Sequence, residues 1–293
     1  MSRAGQRGTI ALIVGIPLAI QVALVWLPAA ATAGLSLTDW NGVGGLDALH
    51  FVGLDNYRQL ATIDPAFWPA LLHNLVWLIA FLVVAMPLGM LLAVLLDREL
   101  RGGWFYESAI YLPVVLSMAV IGLIWELQYR PEDGLINGLL GTNRQENLID
   151  WLGDRSLNLG AVIVAAAWRH VGYVMLLYLA GLKGVDRVLR EAAEIDGASE
   201  AQAFRRVVFP VLHPVNVVVV VVTAIEALRA FDIVYVINQG RNGLELLSVL
   251  VTQNIIGEAS RIGYGSAIAV ILIMVSIVPI VVFVWNSFDE DQT

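Results

Sequence analysis

Cysteine is absent from the 293 residues, and charged side chains make up only 14% of them. Without a thiol the chain can form no disulfide bond, no thiolate nucleophile and no cysteine-ligated zinc site. The 17 basic residues are outnumbered by 25 acidic ones, so the basic surface that nucleic-acid binding requires is also missing. His50, His73 and His213 do not have the spacing of a histidine metal site. We therefore expect no cofactor, no metal and no nucleic-acid partner.

Hydrophobic residues, in contrast, make up 58% of the chain. About a quarter of the residues of a soluble domain are charged, because its surface must be solvated by water. A chain with so few charges cannot cover its own surface with polar groups, so much of that surface must face lipid. The composition predicts an integral membrane protein.

Long apolar windows with few or no charged residues locate the membrane spans. A helix needs roughly 20 apolar residues to cross a hydrocarbon core of ~30 Å. Six such windows predict an all-α membrane domain over the whole chain, with about six transmembrane helices at residues 9–31, 74–96, 104–127, 159–181, 211–231 and 264–286. The first window has the alternative of a cleaved signal peptide, since Arg3 and Arg7 precede it. We expect a retained helix, because the window exceeds the roughly 7–15 apolar residues of a signal-peptide core.

The distribution of arginine and lysine predicts the orientation. Six helices place both termini and two short loops on one side, and that side carries nine of the basic residues, whereas the longer opposite loops carry six. Positively charged loops stay on the cytoplasmic side. Both termini are therefore expected in the cytoplasm.

The loop between the fourth and fifth helices, residues 182–210, has a pattern of its own. Gly197 suits the left-handed conformation that ends a helix. Ser199 followed three residues later by Gln202 is typical of a capping box that starts the next one, and Pro210 suits the first turn of a helix. The pattern predicts a compact cytoplasmic helical hairpin that docks on another protein. A simple amphipathic loop lying on the lipid headgroups is the alternative that it leaves open.

This loop resembles the EAA motif of binding-protein-dependent ABC importer permeases. The matching positions are Glu191, Ala192, Ala193, Asp196, Gly197, Ala198, Phe204 and Pro210. In that family the motif is cytoplasmic and precedes the penultimate helix, as it does here. The resemblance implies the fold of a type I ABC importer permease, in which the hairpin between helices 4 and 5 is the coupling helix that inserts in an ATPase.

The same resemblance implies the partners. They are a second homologous permease, two cytoplasmic ABC ATPase subunits that hydrolyse ATP, and an extracytoplasmic solute-binding protein. The chain itself would be a transport subunit of the bacterial cytoplasmic membrane and not an enzyme. Residues 51–57 and 231–235 resemble the sugar-importing subgroup typified by the maltose and glycerol-3-phosphate systems. Residues 237–243 depart from its pattern, which leaves the shape of that outer loop open.

Polar side chains inside the predicted helices mark a solute pathway or a buried pair, because charge is costly in lipid. The resemblance places substrate-lining positions in the fourth and fifth helices. The candidates are Trp168, Arg169, His170, Tyr173, Thr223, Glu226 and Arg229. The structural alternative is an ion pair of Glu226 with Arg169 or Arg229. Weaker candidates at the end of the third helix are Trp125, Glu126 and Gln128.

The expected function is import of a mono-, di- or oligosaccharide driven by ATP. Glycerol phosphate or a polyol is the alternative solute, and a secondary carrier that works without an ATPase is the alternative mechanism. An intramembrane enzyme is disfavoured, because the helices contain no metalloprotease, serine-protease or paired-aspartate motif.

Overall fold

The computed structural model describes residues 13–98, 101–142, 147–257 and 260–290, and its regular elements are helices. In chain order they are α1 (Ile13–Leu35), α2 (Asp55–Thr62), α3 (Phe67–Asp97), α4 (Gly103–Val115), α5 (Met118–Gln128), α6 (Leu135–Leu140), α7 (Asn158–Lys183), α8 (Arg187–Ile195), α9 (Glu200–Val211), α10 (His213–Leu228), α11 (Asp232–Asn238), α12 (Leu247–Ile255) and α13 (Ile262–Glu290).

Four helices in the described ranges, α1, α3, α7 and α13, are long and apolar enough to cross a membrane. Two bent pairs, α4 with α5 and α9 with α10–α11, raise the number to six if each pair forms one span. The all-α membrane fold predicted from the sequence is confirmed. Residues 9–12 of the predicted first span lie outside the described residues.

The predicted third helix, over 104–127, is divided in the structure. Helices α4 and α5 meet at an angle of 104°. Leu116 and Ser117 between them are extended, and the Ser117 hydroxyl accepts a hydrogen bond from the Val120 amide as the cap of α5. Pro113 lies inside the last turn of α4, where its ring removes a backbone donor. Hydropathy alone does not reveal this break, because the residues on both sides are equally apolar.

The predicted fifth helix, over 211–231, also has different bounds. Helix α10 starts after a bend of 75° at Leu212 and ends at Leu228. Phe231 leaves helical geometry, with φ at −144°, before α11 begins at Asp232. This second break places Arg229 and Asp232 at the junction of two helices rather than on one continuous face.

By their internal contacts the described residues form two compact units: one consists of those up to residue 67 and those within 250–274, and the other of those within 68–249 and those from 275 onwards. In the first unit, Asn56 donates from its side chain to the carbonyls of Ser36 and Thr38, at 2.9 and 2.8 Å. The Tyr57 hydroxyl donates to Ser36 Oγ at 2.7 Å. These bonds explain why an Asn-Tyr pair follows α1 in the sequence: it closes the connection after the helix with buried polar contacts.

In the second unit, α3 packs closely along α7. A Cβ atom on Gly89 would lie 2.8 Å from Val174 Cβ and 2.9 Å from the Val171 carbonyl, so only glycine fits there. A Cβ atom on Gly172 would likewise clash with the Ile110 carbonyl of α4. Small residues of this kind let membrane helices approach each other, since lipid supplies no hydrophobic drive between them.

The close packing of α3 on α7 predicts the effect of one added methyl group. Gly89→Ala should lower the free energy of unfolding by about 1–3 kcal/mol, because it overpacks a backbone contact. Gly160→Ala on α7 is the matched control, as its Cβ would meet nothing within 4 Å and alanine favours the helix. Thermal unfolding in detergent measures both variants. Equal midpoints for the two would show that α3 and α7 are not in close contact.

Candidate functional site

A cavity of about 170 Å³ lies in the second unit, where α3, α7 and α10 meet the start of α11. The lining residues are Trp77, Phe81, Met118, Arg169, Glu226, Arg229, Ala230, Phe231, Asp232 and Ile233. Aromatic rings and charged groups therefore line the same space. Such a mixture of apolar walls with a few convergent polar groups is typical of a small-molecule site.

Two of the predicted residues form an ion pair across this cavity. Arg169 Nη1 on α7 lies 3.8 Å from Glu226 Oε2 on α10, and both side chains stay partly accessible. The Arg169 Nε atom is buried and has no hydrogen-bond partner among the described residues. The predicted pairing of Arg169 with Glu226 is present, but at this distance neither group has used all of its hydrogen-bonding capacity.

His170 and Thr223, also predicted as substrate residues, are turned to each other. The His170 Nε2 atom lies 3.0 Å from Thr223 Oγ1, and the two residues are 2% and 0% exposed. The His170 ring also stacks on Phe81, with 4.7 Å between the ring centroids. This contact joins α3, α7 and α10 behind the cavity wall. It supports the wall and does not reach the open space.

The remaining candidates lie apart from the cavity lining. Trp168 is 42% exposed, and its ring packs edge-on against Trp125 on α5 at 5.8 Å. Tyr173 is half-buried, with its ring 6.3 Å from that of His170. The structure thus brings together Arg169, Glu226 and Arg229 and leaves the other four outside the lining.

Several lining residues carry no distinctive signal in the sequence. Trp77 and Phe81 belong to an uncharged window that reads only as a membrane span. Phe81 starts a π-helical turn, residues Phe81–Ala85, shortly before Pro87, which cannot donate to a preceding carbonyl. Turns of this type often accompany functional sites. Pro87, inside the second predicted span (residues 74–96), is the sequence signal that could have drawn attention to this segment.

The divergent loop 237–243 has a definite shape. Gln239 and Asn242 are left-handed, with φ at 57° and 55°, a conformation that asparagine tolerates better than most residues. The Asn158 side chain donates to the Asn242 carbonyl, and the Asn242 side chain donates to the Gly153 carbonyl. Two asparagines therefore fasten this loop to the start of α7.

Glu245 fixes the chain that follows this loop. Its carboxylate lies 4.0 Å from His73 Nδ1 and 3.9 Å from Arg155 Nη2, and it accepts from the Gly243 amide at 3.2 Å. The next turn is held by Asn74 of α3, whose Oδ1 accepts from the Leu247 amide at 3.0 Å. His73, which has no distinctive spacing in the sequence, therefore joins α3 to this loop.

The predicted helical hairpin is present between α7 and α10. Gly197, with φ at +78°, separates α8 from α9. Ser199 and Gln202 form both bonds of the capping box, at 2.9 and 3.4 Å. A Cβ on Gly197 would meet nothing within 4 Å, so the glycine is required by the backbone angle and not by lack of space.

Two ion pairs fasten the hairpin to the end of α3. Arg190 Nη1 lies 2.6 Å from Asp97 Oδ2, and Arg98 Nη2 lies 2.6 Å from Glu200 Oε2. The Arg190 guanidinium also donates to the Leu182 carbonyl at 3.2 Å. The Asp97 side chain is 14% exposed, so its bond is the better protected from water. Hence α8 and α9 are each joined to the same long helix.

The hairpin residues differ in exposure. Ala193 is buried and Phe204 and Ala198 are half-buried, whereas the other motif positions, Glu191, Ala192, Asp196, Gly197 and Pro210, are exposed. Val188 and Ile195, which the sequence analysis did not single out, are 65% and 86% exposed. An apolar surface bordered by acidic residues is therefore open on this hairpin, as a docking element requires.

A family model described as the binding-protein-dependent transport system inner membrane component matches residues 74–290. The chain belongs to this family. A probable ABC transporter permease of Pyrococcus horikoshii is 32% identical to this permease over 261 residues, which are 88% of each chain. The xylose/arabinose import permease of Haloferax volcanii is 34% identical over 270 residues, covering 90% of this chain and 83% of its own.

A solved structure shares the fold. A chain of a bacterial ABC transporter that imports alginate superposes with a TM-score of 0.80, at 18% identity, over 98% of this permease and 96% of its own length. The family description and these relatives confirm an integral inner-membrane transport component of an ABC importer and confirm the identification made from the EAA motif.

If Arg169 and Glu226 form a structural ion pair, their substitutions should be coupled in stability. Arg169→Gln leaves Glu226 charged without its partner, so it should lower the free energy of unfolding by about 1–2 kcal/mol. Adding Glu226→Gln should restore most of that loss, because no unpaired charge remains. Thermal unfolding of the two single variants and the double variant measures the coupling. Full additivity of the two changes would show that the groups do not interact.

Proposed function

We propose that this permease forms one half of the pathway of an ATP-driven sugar importer. A single observation carries the proposal: a docking hairpin with the family's motif is joined to the same helices that line a cavity of aromatic and charged groups. Helix α7 precedes the hairpin, α10 follows it, and α3 is held to it by Arg190 and Arg98. Movement of the hairpin is therefore transmitted to all three helices of the cavity.

A neutral sugar is the solute that the cavity supports best. The rings of Trp77, Phe81 and Phe231 offer apolar faces to a sugar ring, and the charged groups offer donors and acceptors to its hydroxyls. Two arginines and two carboxylates line the cavity, so their charges cancel. An anion such as glycerol phosphate is therefore disfavoured, because Glu226 and Asp232 offset the charge of the two arginines in the lining. The xylose/arabinose permease among the relatives supports a sugar as well.

The connection of the hairpin to the helices of the cavity suggests a transport cycle. A second homologous permease completes the pathway, and a binding protein on the outer side delivers the solute. Two cytoplasmic ATPases hold the hairpins, with both termini of this chain on the same side. ATP binding brings the ATPases together and moves α3, α7 and α10 from one open state to the other. The permease performs no chemistry, because hydrolysis takes place on the ATPases.

The decisive experiment measures ATP hydrolysis by the assembled importer in lipid vesicles. Neutral sugars, polyols and sugar phosphates, each added with the binding protein, should separate into stimulating and inert solutes. We expect stimulation by a pentose, a hexose or their oligosaccharides. Stimulation by a phosphate or a polyol alone would overturn the sugar assignment. Solute uptake by this chain without any ATPase would identify a secondary carrier instead.

The hairpin gives a second test. Gly197→Val should abolish uptake, because a β-branched residue is strained at φ +78°. Gly197→Asn is the matched control, since asparagine tolerates the left-handed region, and it should keep most of the activity. Membrane insertion of both variants is checked by their yield in detergent. Normal sugar-stimulated hydrolysis in the valine variant would show that the hairpin does not couple the ATPase.

A further inference from the structure

A second and larger cavity, of about 410 Å³, lies between α3, α7, α10 and the end of α13. Asn216, in its wall, precedes Glu226 of the first cavity by ten residues on the same helix. At 1.5 Å per residue this places it roughly 15 Å nearer the coupling hairpin. The volume of this second cavity falls within the range of small-molecule sites, about 300–1,000 Å³.

Two polar atoms in the wall of this cavity have no hydrogen-bond partner in the part of the chain that the structure describes. The Tyr178 hydroxyl and Asn216 Oδ1 are both buried and without a hydrogen bond to any described residue. Tyr178 is 0% exposed. Buried polar groups are almost always hydrogen-bonded, because leaving them unpaired is costly. A hydroxyl group entering the cavity supplies a donor for the amide oxygen and a partner for the phenol.

The other residues that line this cavity restrict which kind of molecule can bind in it. Phe209 and Phe283 contribute aromatic rings, and His213 adds an imidazole. The wall contains no aspartate, glutamate, arginine or lysine among the described residues, in contrast to the first cavity. An anionic or cationic solute would find no counter-charge here and is disfavoured. An acyl chain would leave Tyr178 and Asn216 unpaired.

We propose that this cavity is a second binding site for one neutral sugar ring, occupied between the first cavity and the cytoplasmic side. The proposal rests on the sugar-import function and refines it to uncharged sugars. Phe209 belongs to α9, the second arm of the hairpin. The site therefore changes shape when the hairpin moves, so that ATPase closure and release of the sugar are connected.

The absence of cysteine from the chain allows a direct test with single-cysteine variants. Val217→Cys places a thiol in the cavity wall, and Val218→Cys is the matched control, since Val218 is exposed and outside the wall. The full-length permease in lipid nanodiscs is alkylated with N-ethylmaleimide in the presence of D-xylose, L-arabinose, D-glucose or maltose. We expect at least one of these sugars to slow alkylation of Val217→Cys severalfold, and D-glucuronate to have no effect on it. Neither variant carries a second thiol to obscure the result.

The proposal is overturned if none of the four sugars protects Val217→Cys, if Val218→Cys is protected equally, or if D-glucuronate protects as well as the neutral sugars. Protection by n-octanol without protection by a sugar would identify a lipid acyl site instead. The assay uses no ATPase. If sugars stimulate ATP hydrolysis by the assembled importer but do not protect Val217→Cys from alkylation, only the second site is rejected. If they protect Val217→Cys but do not stimulate ATP hydrolysis, the importer function is rejected.

Removal of the polar atoms gives the second measurement. In the Val217→Cys background, Tyr178→Phe and Asn216→Leu should each raise the half-protecting sugar concentration about fivefold to tenfold, because each removes one hydrogen bond to the sugar. Their thermal midpoints should stay unchanged or rise, since a buried unpaired group is lost. Unchanged protection in both variants would show that these atoms do not contact the sugar and would overturn the proposal.

Discussion

The close approach of α3 to α7 is the contact on which the site depends. Gly89 removes the side chain that would hold the two backbones apart at Val171 and Val174, and in lipid such packing is a main source of helix association. Once the helices are this close, Phe81 of α3 stacks on His170 of α7. The same approach aligns the first cavity above the second along these helices.

Charge is scarce in this permease, and part of it forms ion pairs between helices. Two ion pairs join neighbouring helices: Arg169 with Glu226 in the cavity, and Arg190 with Asp97 at the hairpin. Both pairs join two different helices rather than two turns of one helix. Because a charge without a partner is costly near lipid, each pair fixes the relative position of the helices it joins. The same type of contact is found at the proposed solute site and at the hairpin.

In the proposed pathway the two cavities offer the solute different environments. The first offers a balanced set of charges around aromatic rings, whereas the second offers hydroxyl and amide groups in an uncharged wall. A solute that bound in both cavities, as we propose, would be rich in hydroxyl groups and carry no net charge. Selectivity would then arise from two consecutive environments, and the hairpin arm that contributes Phe209 would connect the second of them to the ATPase.

The sequence by itself determined the membrane class, the all-α fold and the family, because these follow from local composition and from a continuous motif. It also located the hairpin, since Gly197, Ser199 and Gln202 act through bonds to their near neighbours. Three of the seven candidate substrate residues, Arg169, Glu226 and Arg229, line the cavity.

Only the tertiary structure decided the rest. Contacts between helices far apart in the chain orient the His170 side chain towards Thr223 and place Trp77 and Phe81 in the cavity lining. Such a contact also pairs Asp97 with Arg190. Hydropathy did not detect the breaks at Ser117 and Leu212, because it does not distinguish a bent apolar segment from a straight one. Within a uniformly apolar helix, every face reads alike in the sequence, and only packing decides which face meets a neighbour and which meets the cavity.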